Sequence, residues 1–332
     1  MKIGVLIPSY QPDEKLTALI EKLISHQLEI IVVNDGSTKN AELFDSLPCT
    51  VVHHDVNKGK GAALKTGFSY MIENGFDAAV TADSDGQHSP EDICNIMSCL
   101  EANPQTLVMG IRDVSQMPPK SKTGNSLTRK LFKAMYAIDL QDTQTGLRGI
   151  PLSPELLDIK GNRYEYEMEM LIYSKKLFSS IIEVPINTIY IDNNSGSHFN
   201  PIKDGLKIYS VLFSNLPSFM LVSVASFVID YLLFNFLYYV VLGHTTASTI
   251  LARVASSLFN FTLNKNIVFK NSSEKYNILN YYKLAILILL GNMMLMTVFV
   301  DFLHIPAFIA KIVVECVLYI VSFTTQNKWS KS

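Results

Sequence analysis

The sequence predicts an α/β domain, a mostly parallel sheet with helices on both faces, followed by an all-α domain of four transmembrane spans. Three observations predict it. Residues 1–190 alternate short β-branched runs with helical stretches, the pattern of strands joined by crossover helices. Residues 201–332 hold four apolar stretches, each near the ~20 residues a bilayer requires. Charge divides the same way: residues 1–200 carry 18 Lys and Arg against 25 Asp and Glu, and residues 201–332 carry 10 against 5. Over 332 residues, 48% hydrophobic and 17% charged with a mean hydropathy of +0.21, this is neither a disordered chain nor a polar repeat protein. The acidic front half argues against a nucleic-acid partner.

The strands are expected at 2–8, 29–34, 50–54, 77–82 and 106–112, where apolar runs end in turn residues. Helices are expected near 14–25, 60–73 and 90–101. The last opens with Ser89, Pro90, Glu91 and Asp92, a strong helix start. Parallel sheets bind ligands beyond the carboxyl ends of their strands. The polar clusters Ser9-Tyr10, Asp35-Gly36-Ser37 and Asp83-Ser84-Asp85 fall there. Cys49, Cys94, Cys99 and Cys316 form no CxxC pair and read as small buried apolar residues. The opening MKIGVLIPSY has too short an apolar core for a signal peptide, which keeps the front half in the cytosol.

The spans are expected at 217–242, 245–263, 279–303 and 306–324. The connections around His244 and His304 lack Lys and Arg, whereas Lys265, Lys270 and Lys275 lie between the second and third spans. Lys203 and Lys207 precede the first span, and Lys328 and Lys331 follow the fourth. The positive-inside rule then makes this a multi-pass protein of the plasma or inner membrane, with both termini and the front domain cytoplasmic. A weak repeat matches Ala252-Arg253 with Ala310-Lys311 and Phe261-Thr262 with Phe323-Thr324, which reads as two hairpins on one plan or as ordinary membrane-end chemistry. Asp230, Arg253, Asp301, Lys311 and Glu315 lie in or near spans, where charges are costly unless paired, interfacial or lining a polar path.

ADSDGQH, residues 82–88, places two carboxylates at i and i+2 where a strand ends. Asp83 and Asp85 there can share a hard divalent cation, Mg2+ or Mn2+, with Gln87 as a further oxygen ligand; the alternative is a solvated turn. In VVNDGS, Asp35 is a candidate for binding base or ribose, or else the head of a plain Asx turn. NKGKGAALKTG, 57–67, can bring backbone N–H groups and Lys60 to phosphates, although it lacks the ending of a P-loop. In 120–138, Leu127, Leu131, Phe132 and Met135 fall at helical spacing among Arg129, Lys130 and Lys133. This basic amphipathic helix suits either the headgroup layer or packing on the domain.

IPSY, VVNDGS, NKGKGAALKTG and ADSDGQHSPEDI, in this order, resemble the family 2 glycosyltransferases, and more narrowly their polyprenyl-phosphate (dolichol-phosphate) branch. Residues 214–330 resemble the GtrA-like four-helix membrane domain, and the glycosyltransferase likeness covers 1–200. The resemblance implies a GT-A-like (Rossmann-like) fold and an inverting transfer from a nucleotide-diphosphate sugar to a polyprenyl phosphate, serving cell-envelope glycan modification. UDP-glucose is the first expected donor, ahead of UDP-galactose, UDP-GlcNAc and GDP-mannose. Pro8 and Tyr10 would line the base pocket with Asp35, Lys60 and Asp83 would complete the donor site, and Asp83, Asp85 and Gln87 would bind metal. Arg112 and Arg129 match basic residues that grip the acceptor phosphate. DTQTGLRG, 142–149, makes Asp142 and Arg148 active-site candidates with Asp85. An acid among Glu165, Glu167 and Glu169 would lie near the donor sugar. Gln11-Pro12 and Leu147 depart from the usual pattern. The lipid phosphate is largely dianionic at neutral pH, so it needs positioning and charge compensation more than a base, and Asp142 would orient a basic residue or the sugar. The resemblance leaves open a homo-oligomer through the membrane helices, and a translocator role for them.

Overall fold

The computed structural model describes residues 1–113, 115, 117, 119–187, 203–270 and 273–331. It divides into two compact units, Met1–Leu131 with Asp139–Leu212, and Phe132–Ile138 with Phe213–Ser332. The expected boundary of the front domain at residue 200 lies outside the described residues.

In the first unit, β1 (Ile3–Ser9), β2 (Ile30–Asn34), β3 (Thr50–His53), β4 (Ala78–Thr81), β5 (Thr106–Arg112), β6 (Arg148–Pro151) and β7 (Ser180–Ile186) form one sheet in the order β3-β2-β1-β4-β6-β5-β7. All pairs are parallel except those of β6, which runs against both β4 and β5. The five expected strands are present within a residue or so. β6 and β7 were not legible: β6 is only RGIP, and β7 carries Pro185, tolerated because β7 is an edge.

Helices α1 (Glu14–Ser25), α2 (Lys60–Glu73) and α3 (Pro90–Ala102) follow β1, β3 and β4. Side chains alternate along β1, so Val5 and Ile7 join a core with Leu16, Leu19 and Ile20 of α1 and Ile93, Ile96 and Leu100 of α3. Leu6 points the other way, onto α2, where a side chain at Gly67 would collide with it. Helices thus cover both faces, the GT-A-like arrangement expected. Ser89 caps α3 by accepting the Asp92 N–H at 3.1 Å, and Asp13 caps α1 through the Lys15 N–H at 3.0 Å.

Helix α4 (Pro119–Tyr136) occupies the expected amphipathic stretch, but its buried face differs from the expected stripe. Leu127 is 50% exposed, while Asn125 and Thr128 are buried with Phe132 and Met135. A stripe read from apolar residues alone overlooks polar side chains that the fold encloses. Helices α5 (Glu165–Leu177) and α6 (Lys203–Leu212) complete this unit.

The second unit holds α7 (Leu216–Phe236), α8 (Thr245–Leu263), α9 (Ile278–Thr297) and α10 (Ala307–Lys331). The first three each extend by a π-helical turn, to Leu242, Val268 and Phe302. Among the described residues, three stretches are long and apolar enough to cross a membrane: Leu216–Leu242, Ile278–Phe302 and Ala307–Ser330. Helix α8 has the expected bounds but is rich in Ser and Thr and carries Arg253, so it falls outside that set. It lies antiparallel to α7 as a hairpin: Ser256 Oγ donates to Asp230 Oδ1 at 2.8 Å, and Asn260 Nδ2 to Ser226 Oγ at 2.9 Å.

The two hairpins do repeat, in a register that corrects one expected match. Leu216 to Ile278 and Thr245 to Ala307 are both steps of 62 residues, as is Phe261 to Phe323. Pairing Ala252-Arg253 with Ala310-Lys311 is one helical turn out of step. In the structural register Arg253 corresponds to Glu315, and Asp230 to Asn292. The buried seams agree, Ser248, Ala252 and Ser256 against Ala310, Val314 and Leu318. Each hairpin joins its helices at that level: Asp230 lies 3.4 Å from Arg253, and Asn292 Nδ2 donates to Glu315 Oε1 at 2.9 Å.

Candidate active site

A cavity of about 550 Å3 opens at the carboxyl ends of β1, β2 and β4. Pro8, Ser9, Tyr10, Asp35, Lys60, Asp83 and Asp85 line it, with Asn57, Tyr164 and Arg163. The structure therefore gathers every expected donor-side residue around one space.

Asp35 is 3% exposed, and its carboxylate is heavily engaged. Oδ1 accepts the Lys58 N–H at 2.8 Å and lies 2.8 Å from His54 Nδ1, and Oδ2 accepts the Gly59 N–H at 2.8 Å. His54 Nε2 in turn meets Thr66 Oγ1 at 2.9 Å. Asp35 thereby fixes the turn that delivers Lys60 to the first position of α2. Gly59 has φ +101°, and a Cβ there would meet Asn162 O and Arg163 Cγ at 2.5 Å, so that turn requires glycine.

Lys60 Nζ sits 2.7 Å from Asp83 Oδ1 and 3.1 Å from Glu167 Oε1. Burial alone would lower the Lys60 ammonium, but the charges of Asp83 and Glu167 outweigh it and raise it. Burial would likewise raise the Asp83 carboxyl, yet Lys60 and His88 hold it well below the usual range. Asp85 is pushed up, first by burial and then by the charge on Asp83. Two adjacent carboxylates share the cavity with an ammonium set against one of them, so the pair is built to hold positive charge. That donor set suits a hard divalent ion. Gln87 is not among the lining residues; its backbone N–H donates to Asp85 Oδ1 at 3.0 Å, which shapes the turn.

The acceptor-side expectations diverge. Asp142 is fully buried and clamps Arg112 in a two-point pair, Nε to Oδ2 at 2.6 Å and Nη2 to Oδ1 at 3.0 Å. The structure thus gives Asp142 the work of orienting a basic residue. Arg148, expected to act in the site, lies beneath it. It is 1% exposed and donates to the carbonyls of Thr145 at 2.9 Å, Glu167 at 2.9 Å and Thr143 at 3.4 Å. It is not among the residues lining the cavity, and its guanidinium fastens the 142–147 loop to α5. Arg129 lies half-buried on α4, outside the cavity lining.

Because β6 is reversed, the loop before it arrives at the same sheet edge as the turn after β4, with Arg148 paired opposite Thr81. Thr81 Oγ1 donates to Gly146 O at 2.8 Å, and any side chain at Gly146 would collide with the Asp83 carboxylate. Sequence reasoning missed Arg163 and Tyr164, which reach the cavity from the start of α5. It could not choose among the three acids that follow. Of the three, Glu167 reaches Lys60, whereas Glu165 accepts from Asn162 N and Arg163 N, and Glu169 from Lys160 N. His88 was quoted in the motif without a role; it is 5% exposed and stands 3.5 Å from Asp83 Oδ2.

Residues 4–151 match the model of glycosyl transferase family 2, and residues 218–331 that of the GtrA/DPMS transmembrane domain. The UDP-N-acetylglucosamine–dolichyl-phosphate N-acetylglucosaminyltransferase of Methanococcus voltae is 30% identical over 234 residues, covering 62% of this chain and 93% of that one. The chain belongs to family 2. Two other members are the undecaprenyl-phosphate mannosyltransferase of Micrococcus luteus, 26% identical over 57% of this chain and 84% of its own, and the polyprenol monophosphomannose synthase of Mycolicibacterium smegmatis, 28% identical over 55% and 75%. This family 2 glycosyltransferase thus carries an α/β domain and a GtrA/DPMS-type transmembrane domain.

Proposed function

We propose that the enzyme moves a sugar from a nucleotide-diphosphate sugar to a polyprenyl phosphate at the cytoplasmic face of the membrane, with inversion, giving a polyprenyl-phosphate sugar for envelope glycan modification. The observation that carries this is the cavity at the ends of β1, β2 and β4 with Asp83 and Asp85 on its wall. The names of the relatives support the lipid acceptor. UDP-glucose is the first donor to test, with UDP-GlcNAc and GDP-mannose beside it because relatives are named for GlcNAc and mannose transfer.

In this reading Pro8, Tyr10, Asn57 and Arg163 receive the nucleoside, with Asp35 holding the turn beside it. Asp83 and Asp85, with Gln87 next to them, would bind Mg2+ or Mn2+, which offsets diphosphate charge and stabilises the leaving group. Lys60 adds positive charge at the diphosphate, and Glu167 stands toward the sugar. Arg112, held by Asp142, and Arg129 compensate the acceptor phosphate. The phosphate oxygen attacks the anomeric carbon from the face opposite the leaving diphosphate, in a single displacement that needs no proton removed. All four helices of the second unit span the bilayer, α8 by virtue of its pairing along α7.

The test is sugar transfer to undecaprenyl phosphate by purified protein across radiolabelled donors, with Asp85→Ala alongside. Label in the lipid fraction from one donor, abolished by the substitution, supports the reading. Nucleotide release that needs Asp85 but labels no lipid overturns the acceptor. A second reading, translocation of the product by the helical domain, draws on the mid-helix pairs Asp230–Arg253 and Lys311–Glu315, the latter at 2.8 Å. Asp230→Ala would then spare synthesis and stop transfer across the bilayer.

A further inference from the structure

We propose that Lys60 is a placeholder cation for Asp83, so that the divalent metal binds tightly only together with the diphosphate of the donor. The inference rests on the donor and metal reading above and concerns the order in which the two enter. Asp83 has both carboxylate oxygens occupied: Oδ1 faces Lys60 Nζ at 2.7 Å, and Oδ2 lies against Gly146 with His88 Nε2 at 3.5 Å. An ion that needs Asp83 as a ligand therefore meets an ammonium already seated there. Glu167 grips the same ammonium from a second side at 3.1 Å, and the Lys60 side chain is 15% exposed.

A divalent ion and an ammonium on one carboxylate repel each other, and more strongly in a partly buried site than in water. Metal alone is thus opposed by Lys60. A nucleoside diphosphate changes the balance, because its oxygens give Lys60 new acceptors within a cavity that Lys60 and Asp83 both line. Lys60 then exchanges Asp83 for phosphate while retaining Glu167, and Asp83 becomes available to the metal. Coupling of this kind is reciprocal: whatever factor the nucleotide adds to metal affinity, the metal adds to nucleotide affinity. The local architecture favours such an exchange. Lys60 opens α2 behind the turn that Asp35 fixes through Lys58 and Gly59, so its backbone is rigid and only its flexible four-carbon stem has to move.

The experiment measures Mn2+ binding to the full-length protein in detergent micelles, by the electron paramagnetic resonance signal of free Mn2+, with and without UDP or GDP. For the unaltered chain, nucleotide should tighten Mn2+ binding at least tenfold. Lys60→Met should bind Mn2+ alone at least tenfold more tightly than the unaltered chain, with a nucleotide effect under threefold. Lys60→Arg, which keeps the charge, should retain the nucleotide effect, and Lys60→Gln replaces the Met variant if that does not fold. Mn2+ binding that is indifferent to nucleotide in the unaltered chain, or no tighter in Lys60→Met, overturns the proposal and leaves the metal reading standing. Absence of Mn2+ binding with either nucleotide in every variant overturns both.

Discussion

The two units find partners for their charges by different means. In the α/β unit, loops do it with backbone groups: Arg148 donates to three carbonyls, and Asp35 accepts two N–H groups as well as facing His54. In the helical unit, Asp230 is matched by Arg253 and Ser256, and Glu315 by Lys311 and Asn292, side chains throughout. The reason is elementary. A helix interior commits its N–H and C=O groups to its own ladder, so a charge between two helices finds only side chains, whereas strand-end loops have backbone groups to spare.

Removing a loop-held carboxylate from the cavity should break this contrast most. Asp85→Asn should lower sugar transfer about 10^3-fold, as loss of a preorganised charge at a transferring diphosphate does; initial rates at saturating donor test it, and a loss below tenfold would remove Asp85 from the machinery. Asp142→Asn comes next. It keeps the shape but strips the two-point partner from Arg112, and breaking such a buried pair costs about 3–5 kcal/mol. Urea unfolding of the purified protein would show it, and an unchanged midpoint would place the Arg112–Asp142 pair among ornamental contacts. Asp230→Asn should cost less, about 0.6–1.7 kcal/mol, the range for polar pairs between membrane helices. A double-mutant cycle with Arg253→Met in thermal unfolding isolates that pair, and a coupling as large as that of Asp142 would erase the difference drawn above.

The smallest effect is one of pH. Asp83 is held low, so its contribution is present above the unfolded carboxylate value of about 3.9 and is lost only as pH falls through its still lower folded value. Lys60 is held high, so its contribution is present below about 10.4 and is lost as pH rises through its higher folded value. Between about pH 5 and 9 the unaltered protein and the double variant Lys60→Met/Asp83→Asn should therefore differ in stability by a constant amount, read from paired melting curves across that range. A difference that changes with pH in that window would mean the pair titrates there.

The same contrast explains what the sequence revealed. Asp83, Asp85, Asp35 and Lys60 were legible because each stands within a few residues of a strand end or a glycine turn. Helices α1, α2 and α3 were legible to within a residue, α1 and α3 through the local caps Asp13 and Ser89. The surroundings of Arg148 were illegible because a motif records that an arginine is present but not whether its head faces a cavity or a cage of carbonyls. Arg163, Tyr164 and the choice of Glu167 were illegible because they reach the site from about eighty residues beyond Asp83, brought there only by the packing of α5 on α2. In the helical unit, hydropathy located the helices, but residue matching put the counterpart of Arg253 in the second hairpin one turn out.

The reversed direction of β6 brings two groups of polar residues together from oppositely running segments. Donor-side residues stand on segments that leave β1, β2 and β4, whereas Arg112 is steered by Asp142 from a segment that enters the sheet through β6. The stretch between β5 and β6 can lengthen, shorten or change its composition while the donor-side strand ends keep their places. A fold built this way can remodel the side that holds Arg112 and Asp142 while the side that holds Asp83 keeps its shape.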